Sequence, residues 1–374
     1  MKKVGIMTFH CADNFGAVLQ VYALQQTIKE LNIDVEIIDF RPQALIIPYN
    51  HTVNLKNRYS VNGIKGVIRA LLSSIYNYRN IESRLKSFRK FRDDNLNISK
   101  EKYYFSQELL NSPPKYDYFL TGSDQVWNPS FKRKIGDSYF LDFVDNNAIK
   151  ISYAASIAEE VDEGLIGDYK NHINRFDYIS VREKSGVEFL QNIINNSVEV
   201  TLDPTLLLNK RKWKNISKKP NLKEKYILVY GLEHNNELIK LANRLSEEIN
   251  IKIISYTNQK IFNNVIESFY FKGPDEFLGL FENAEVILTN SFHGTVFSVI
   301  NNKPFYTIPH TTTGSRMIDL LKILNLEERI IYKAEDLKEF DFNIDYNEVD
   351  RILETKRQES INFLKKSFGI KDNR

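Results

Sequence analysis

Two runs of alternating short apolar segments and amphipathic helical segments constrain this chain of 374 residues more than any other feature. Val4 to Phe9 and Val35 to Phe40 have the length and composition of buried strands, and between them apolar residues recur at helical spacing from Asn14 to Leu31. The alternation continues through Tyr178 to Val181 and begins again at Tyr226. This order predicts an α/β fold with two mostly parallel, doubly wound, Rossmann-like sheets.

A polar, lysine-rich stretch between the two runs predicts the domain organisation. We expect an N-terminal Rossmann-like domain at 1–208, a linker at 209–225 and a C-terminal Rossmann-like domain at 226–346. A basic helical insertion at about 60–97 belongs to the first domain. Its mixed charge is typical of a solvated helix face, and contact with a lipid-linked or anionic glycan is the weaker alternative. The last segment, 347–374, is expected to form a helix and tail that could fold back across both domains.

The charge and cysteine content exclude several classes of protein. Fifty-one basic and 48 acidic side chains give a net charge of +3, which makes no general case for nucleic acid because such binding needs a concentrated basic face. The single cysteine, Cys11, cannot form an internal disulfide, and no run of about 18 apolar residues predicts a transmembrane segment. The N-terminus does not have the pattern of a signal peptide. We therefore expect a cytoplasmic protein, with peripheral contact at a membrane left open.

The strand end near residue 290 carries the strongest candidate site. In open α/β sheets, ligands bind beyond the carboxyl ends of the strands, and a helix N-terminus offers amides and a positive dipole to an anion. That dipole should keep His293 neutral and able to act as a base, and Gly294 would let a ligand approach closely. The alternative is that this segment merely caps a helix and His293 packs under a loop. The polar and small residues here are Thr289, Asn290, Ser291, His293, Gly294 and Thr295.

Two loops of the first domain add candidates for binding a second substrate. Asn14 could cap the helix after the first strand, and the amides beside it could meet substrate, although no G-x-G-x-x-G pattern predicts a dinucleotide. Asp124 could accept hydrogen bonds from sugar hydroxyls. Trp127 could stack on a sugar face, but a buried anchor for its loop is the favoured interpretation. Asp203, before Pro204, is predicted to be structural.

Several segments, taken in order and spacing, resemble the polysaccharide pyruvyl transferase family over nearly the whole chain. They are Asn14 to Ala17, Thr121 to Pro129, Ser180 to Glu183, Leu202 to Thr205, Asn290 to Thr295 and Lys303 to Phe305. The resemblance implies a glycosyltransferase-B-like fold of two domains. It also implies transfer of a pyruvyl group from phosphoenolpyruvate to two sugar hydroxyls of a bacterial-type cell-surface glycan, giving a pyruvate ketal. The acceptor could be lipid-linked or soluble.

The resemblance implies no metal and no cofactor beyond phosphoenolpyruvate as co-substrate. Six scattered histidines and one cysteine agree, because they show no zinc-ligand spacing. His293 is expected to be the acid/base of the reaction. Asn290, Ser291, Gly294 and Thr295 are expected to bind the donor anion, and Asn14, Asp124 and Trp127 the acceptor.

One departure from the family pattern concerns charge. Many members have an Arg-Leu-His triplet where this chain has Ser291, Phe292 and His293. Another cation must then hold the anionic donor, because a guanidinium binds phosphate or carboxylate through two parallel hydrogen bonds. Arg316 and Arg182 are the candidates. Each of them also has an interpretation without a ligand. Arg316 could be a surface residue in a first helical turn, and Arg182 could form an ion pair with Glu183 or Asp203.

Two other functions fit the same pattern. The fold would also suit a glycosyltransferase with a nucleotide-sugar donor, and the missing cation at Ser291 mildly favours it. A non-catalytic scaffold of a glycan pathway is the third hypothesis. The retained His293 and its capping cluster argue against the scaffold.

Overall fold

A computed structural model describes residues 2–46, 81–256, 261–311 and 314–371 of the chain. The first described sheet has seven parallel strands in the order β3-β2-β1-β4-β5-β6-β7. Successive strands are therefore added on one side of β1 up to β3 and on its other side from β4 onward, so the strand order reverses between β1 and β4. These strands are β1 (Lys3–Met7), β2 (Asp34–Phe40), β3 (Ile98–Tyr103), β4 (Tyr118–Thr121), β5 (Ile149–Ala155), β6 (Tyr178–Val181) and β7 (Val198–Val200). The helices are α1 (Phe15–Glu30), α2 (Gln43–Ile46), α3 (residues 81–95), α4 (Ser106–Asn111), α5 (Pro129–Ile135), α6 (Glu163–Ile173), α7 (Lys184–Gln191) and α8 (Lys210–Lys214).

The second sheet has five described strands in the order β10-β9-β8-β11-β12, again all parallel. Its winding reverses between β8 and β11. The strands are β8 (Tyr226–Tyr230), β9 (Lys252–Ser255), β10 (Val265–Ser268), β11 (Val286–Thr289) and β12 (Phe305–Thr307). The helices are α9 (Asn236–Ile249), α10 (Pro274–Asn283), α11 (Phe292–Ile300), α12 (Ser315–Ile323) and α13 (Tyr346–Ser367). Short 3-10 turns lie at Ser138–Phe140, Pro204–Leu207 and Glu327–Arg329.

Both sheets are apolar on both faces, as parallel sheets covered by helices must be. In β4, Tyr118 and Leu120 point to one apolar cluster and Phe119 to another. In β8, Leu228 and Tyr230 belong to the same cluster as Leu120 of β4, whereas the opposite face of β8 packs into a third cluster. One continuous core thus joins the facing sides of the two sheets.

The last helix, α13, crosses back onto the first domain. The amide of Leu202 donates to Ser360 Oγ over 3.0 Å, Arg357 Nε donates to the carbonyl of Leu206 over 2.6 Å, and Tyr118 Oη donates to the carbonyl of Phe368 over 3.0 Å. The predicted fold class is confirmed: the chain is α/β, with two Rossmann-like sheets in a glycosyltransferase-B-like arrangement and a C-terminal helix that returns to the first domain. None of the described helices is both long and apolar enough to span a bilayer.

Of the predicted helical insertion at 60–97, residues 60–80 lie outside the described part of the chain. Its described helix, α3, has the expected solvated face at Lys86, Arg89 and Lys90, but Arg84 and Arg92 are buried. Arg92 Nη1 donates to Asp13 Oδ1 over 2.7 Å. The predicted domain boundaries stay a prediction, and within the linker assigned to 209–225 the chain forms α8 and buries Trp213.

Candidate active site

The N-termini of α1 and α11 face each other across a crevice between the two domains. Helix α1 follows β1 and α11 follows β11, and both strands adjoin the point where their sheet reverses its winding. Those reversal points are where open α/β sheets bind ligands. The crevice has a volume of about 460 Å³. The fold therefore brings two helix starts, each with first-turn amides that have no acceptor within the helix, to one cavity.

His293 lies in the first turn of α11 and lines this crevice. Its ring packs directly on Gly16 of α1, because a Cβ added to Gly16 would lie 2.0 Å from Nδ1. Nε2 lies 3.7 Å from Asp203 Oδ2 and has no hydrogen-bond partner among the described residues. His293 is 9% exposed, so the imidazole is held between the domains at the wall of the crevice.

Asp203 is the carboxylate beside His293, and it is fully enclosed. Thr205 donates to Oδ1 from both its hydroxyl and its amide, over 2.6 and 3.0 Å, and Arg182 Nη1 donates to Oδ2 over 2.6 Å. Burial alone would raise the pKa of Asp203, but His293, Arg182 and Thr205 together hold that pKa well below its usual range. Asp203 is therefore a fixed anion beside His293, placed to stabilise any imidazolium formed there.

Arg182 has only part of its guanidinium engaged. Beyond Nη1, its Nε and Nη2 atoms have no hydrogen-bond partner in the described ranges, although Glu183 Oε2 and Asp124 Oδ1 lie 4.0 Å away. Burial lowers the pKa of Arg182, but the neighbouring carboxylates of Asp203, Asp124 and Glu183 raise it. The net effect is a pKa above the usual value for arginine. Its plane lies 4.6 Å from the centroid of the Phe292 ring. The ion pair with Asp203 considered above is present, and the buried Nε and Nη2 atoms have no acceptor within hydrogen-bonding distance among the described residues.

Arg316 lies near the same aromatic ring. Its guanidinium carbon is 5.7 Å from the centroid of Phe292, and the residue lines the crevice together with His293. Arg316 is buried, so the alternative prediction that it is a surface residue is wrong. Burial, and then repulsion from Arg182, lower the pKa of Arg316 to about 10. The side chain is thus still a cation at neutral pH, and it is close to a second one.

Three predicted residues shape the walls of the crevice. Asn14 caps α1 by accepting from the amide of Ala17 over 3.1 Å, and Ser291 caps α11 by accepting from Gly294 over 3.4 Å. Asn290 accepts from the amide of Leu232 and donates to the carbonyl of Glu233, so it holds the loop after β8 against the crevice. Asn14, Asn290 and Ser291 all line the cavity.

Gly294 and Thr295 were predicted to bind the donor anion, and their placement corrects that prediction. A Cβ on Gly294 would lie 2.1 Å from Thr289 Oγ1, so this glycine permits packing against β11 instead of ligand approach. The hydroxyl of Thr295 donates to the carbonyl of Ser291 over 3.2 Å, and the residue is completely buried. Neither lines the crevice.

In the loop after β4, Asp124 and Trp127 have different roles. Asp124 lines the crevice and has a positive φ of 67°. Trp127 is completely buried, stacks on Phe140 at 5.7 Å between centroids and donates Nε1 to the carbonyl of Tyr139. It cannot stack on a sugar, so the predicted acceptor contact of Trp127 is wrong and the anchoring interpretation describes its environment.

The structure also adds residues that the sequence did not single out. Asp203 was assigned a structural role, because nothing local in an Asp-Pro pair reveals that the chain brings it to a histidine 90 positions later. Lys134 and His310 line the crevice from loops and helix ends without a motif of their own. Phe292 contacts both guanidinium groups.

Within the described ranges, one group of three side chains has the spacing of metal ligands. It consists of Asp137, Asp168 and His172, outside the crevice. The ammonium of Lys132 pairs with both carboxylates of this group. A cation of the chain itself therefore already occupies the position between these acids.

Comparison with known proteins gives the family. No curated protein matches the chain. Among solved structures, MnaA of S. aureus, determined with UDP, is 13% identical, covers 100% of this chain and 99% of its own, and has a TM-score of 0.48. The UDP-GlcNAc 2-epimerase of Methanocaldococcus jannaschii is 15% identical, with 95% and 92% of the two chains covered and a TM-score of 0.46. The UDP-N-acetylglucosamine 2-epimerase of Rickettsia bellii is 12% identical, with 99% and 100% covered and a TM-score of 0.48.

Similarity at this level supports no inference about activity. The family model described as polysaccharide pyruvyl transferase matches residues 14–312, which include both faces of the crevice from Asn14 to His310. The chain belongs to the polysaccharide pyruvyl transferase family.

Proposed function

We propose that the chain transfers a pyruvyl group from phosphoenolpyruvate to two hydroxyls of a glycan, forming a cyclic ketal and releasing phosphate. One observation carries the proposal: His293, the buried guanidinium group of Arg316 and two helix N-termini line one crevice between the domains, and the guanidinium group of Arg182 lies over Phe292 of the same wall. An anionic donor needs those positive groups, and ketal formation needs an acid/base beside them. The family supports a transferase acting on a polysaccharide.

The proposed chemistry uses His293 for proton transfer. The first sugar hydroxyl loses its proton and bonds to C2 of the donor, while C3 gains a proton and becomes a methyl group. The second hydroxyl then bonds to C2, its proton departs with the phosphate, and the ring closes. The imidazole can carry a proton between hydroxyl and carbon, and Asp203 at 3.7 Å stabilises it when it is charged.

Arg316 and Arg182 are proposed to hold the donor in place of the arginine that the Ser291 position lacks. Both guanidinium groups lie against Phe292, the residue directly before His293. We propose that these two cations bind the phosphate and the carboxylate of the donor beside the imidazole. Ser291 and Asn290 line the same wall, and we propose that Asp124 and Asn14 face the acceptor.

The role of His293 is tested by phosphate release from phosphoenolpyruvate in the presence of a glycan. His293→Ala should lower kcat by about 10²- to 10⁴-fold, the usual contribution of a general acid/base, with no change in the unfolding midpoint. His293→Gln, which keeps hydrogen bonding but cannot carry the proton, should be similarly slow. Full turnover by a folded His293→Ala protein would reject this role.

Donor binding is tested by calorimetric titration with phosphoenolpyruvate. Arg316→Ala should weaken the affinity by roughly 10- to 100-fold, the effect of losing hydrogen bonds to a charged group. The matched control is Arg351→Ala, an exposed arginine of α13 paired with Glu348, which should bind normally. Saturable binding of a nucleotide sugar, with none of phosphoenolpyruvate, would support the glycosyltransferase hypothesis instead.

A further inference from the structure

A second cavity, of about 570 Å³, adjoins the crevice on the side of the first domain. Four glutamates line it, Glu159, Glu160, Glu163 and Glu183, and we call it the acidic pocket. Glu159 lines both cavities, and Ser315 of the acidic pocket directly precedes Arg316 of the crevice. The two cavities therefore share a wall at Glu159 and are neighbours in the structure.

Glu183 lines this pocket and has one buried carboxylate oxygen without a hydrogen-bond partner among the described residues. Its Oε1 accepts from the hydroxyl of Ser156 and from the amides of Ile157 and Ala158, over 2.9, 2.8 and 3.0 Å. Its Oε2 has no hydrogen-bond partner among the residues that the structure describes, and Arg182 Nε is 4.0 Å away, beyond hydrogen-bonding distance. Glu183 is 2% exposed. A buried carboxylate oxygen without a donor is costly, so a ligand that supplies one binds favourably.

The charges of the acidic pocket select the kind of ligand. No lysine or arginine is among its lining residues in the described ranges, so a phosphate or another anion is repelled. Donors are present as well: the pocket includes Ser185 in the first turn of α7 and Ser315 at the start of α12, where hydroxyls and first-turn amides are available. A cation could bind to the carboxylates, but it could not accept hydrogen bonds from these hydroxyls and amides.

A sugar hydroxyl uses both kinds of group, because it donates to a carboxylate and accepts from an amide or hydroxyl. The half-buried Phe189 and Ile166 add an apolar wall, which suits the C–H face of a sugar ring. A separate cavity that Phe292 also lines is different in charge. Its five cations outnumber its three carboxylates: Arg182, Lys184, Arg316, Lys322 and Lys356 against Asp203, Asp319 and Glu359. Anionic and neutral ligands are thus favoured on different sides of the site.

We infer that the acidic pocket binds a neutral sugar residue of the acceptor, next to the sugar that receives the pyruvyl group. The acceptor is then a glycan of at least two sugars, uncharged at this residue. This inference rests on the proposed function, since it takes the crevice as the place of transfer.

The test measures binding of neutral gluco- and galacto-oligosaccharides of one to four sugars by saturation-transfer NMR, without phosphoenolpyruvate. The native protein should bind the best trisaccharide or tetrasaccharide at least about tenfold more tightly than its single sugar, the gain expected from one hydrogen bond to a charged group. Ser185→Trp, which fills the pocket from an exposed position, should abolish this dependence on length. Ser83→Trp, exposed on α3, should keep it.

Glu183→Gln is a second variant, because it keeps an acceptor for the three hydrogen bonds at Oε1 but replaces the unpartnered oxygen by an amide. It should reduce the length dependence while the protein stays folded. Equal affinity for all lengths, no binding of any neutral oligosaccharide, or a length dependence unchanged by Ser185→Trp would overturn the inference. Binding of spermidine that Ser185→Trp abolishes would also overturn it, in favour of a cation. Failure to release phosphate from phosphoenolpyruvate would contradict the proposed function and leave the binding result in place.

Discussion

At the scale of single residues, the contact between Gly16 and His293 links the two domains at the reacting group. A Cβ at position 16 would meet Nδ1 at 2.0 Å and Cε1 at 2.4 Å, and both are ring atoms that cannot bend away. Only a glycine lets α1 approach α11 this closely. The position of the imidazole therefore depends on a residue of the other domain.

Gly16→Ala should displace the imidazole by an ångström or more, and we expect kcat to fall by about 10²-fold for a misplacement of that size. The measurement is glycan-dependent phosphate release, with the fold checked by circular dichroism. Gly167→Ala in α6 is the matched control, since nothing lies within 4 Å of the added carbon, and it should stabilise the helix by up to about 1 kcal/mol. Unchanged turnover in Gly16→Ala would mean that the ring position is not critical.

Asp203 should make stability depend on pH. Its folded-state pKa is depressed, so the unfolded chain takes up the proton first as the pH falls below about 4. The stabilisation is then complete near neutral pH and is lost as the pH falls towards the folded pKa. Asp203→Asn should cost about 3–5 kcal/mol at pH 7, because it leaves the buried Arg182 and His293 without their anion.

Urea unfolding from pH 3 to pH 7 measures this effect. The difference in unfolding free energy between the native protein and Asp203→Asn should be largest at pH 6–7 and should shrink below pH 4. Asp93→Asn, an exposed carboxylate of α3, should show no such change. A difference that is constant across the whole range would contradict the assignment.

Local sequence signals predicted some of these residues and not others. A polar residue between a strand and an amphipathic helix is often a helix cap, so the cap at Asn14 was predictable, as was a cap at Thr289, Asn290 or Ser291. The same logic placed His293 in a first helical turn at a strand end. It could not distinguish a glycine that packs on a strand, as Gly294 does, from one that faces a ligand. Asp203 and Glu183 acquire their surroundings only from distant segments.

At the scale of elements, the strands that escaped prediction are edge strands. β3 and β10 lie at the outer edges of their sheets. The exposed residues of β3 include Lys100, Glu101 and Lys102, so it lacks the apolar run that revealed the central strands, and charged edges are typical because they discourage pairing with other chains. The central strands and α1, α9 and α11 were predictable because burial on one or both faces imposes their pattern.

Helix α3 acts as a brace between the domains through Arg84. This guanidinium donates to the carbonyl of Asp13 over 2.8 Å and to the carbonyl of Tyr270 in the second domain. Its face lies 5.0 Å from the centroid of Phe15 and 4.7 Å from that of Phe88. The arginine is 3% exposed. It therefore satisfies two buried carbonyls and fills an aromatic cage.

Arg84→Met keeps most of the volume but removes the donors, and it should destabilise the chain by about 2–4 kcal/mol because buried carbonyls lose their partners. Arg89→Met, exposed on the same helix, should change stability by no more than about 0.5 kcal/mol. Urea denaturation of the native protein, Arg84→Met and Arg89→Met measures these differences in unfolding free energy. Equal stability of both variants would show that α3 does not brace the domains.

At the scale of the whole molecule, the two domains share one apolar core. Phe15 of α1 stacks on Phe277 of α10 at 4.4 Å between ring centroids and approaches Tyr230 of β8 at 6.3 Å. Trp213 lies between Tyr22 of α1 and Phe297 of α11, at 5.7 and 5.1 Å. Helix α13 closes the arrangement by hydrogen bonding to the first domain. Opening the crevice widely would expose this core, so substrates must enter without a large hinge motion.

This shared core predicts that the chain unfolds in a single cooperative step. Separate domains would give two transitions, but here unfolding either one strips apolar surface from the other, which costs about 25 cal/mol per Å² exposed. The two tryptophans are suitable reporters of this single step. Trp127 lies in the core of the first domain, and Trp213 lies between the domains. In the single-tryptophan variants Trp213→Phe and Trp127→Phe, fluorescence and far-UV circular dichroism should give one midpoint within each protein, with calorimetric and van't Hoff enthalpies equal.

Phe15→Ala should lower the unfolding midpoint, because an emptied aromatic site costs about 3–5 kcal/mol. Two resolved transitions in the native protein, with Trp213 changing in only one of them, would contradict a common core and restore domain opening as a route for substrate entry.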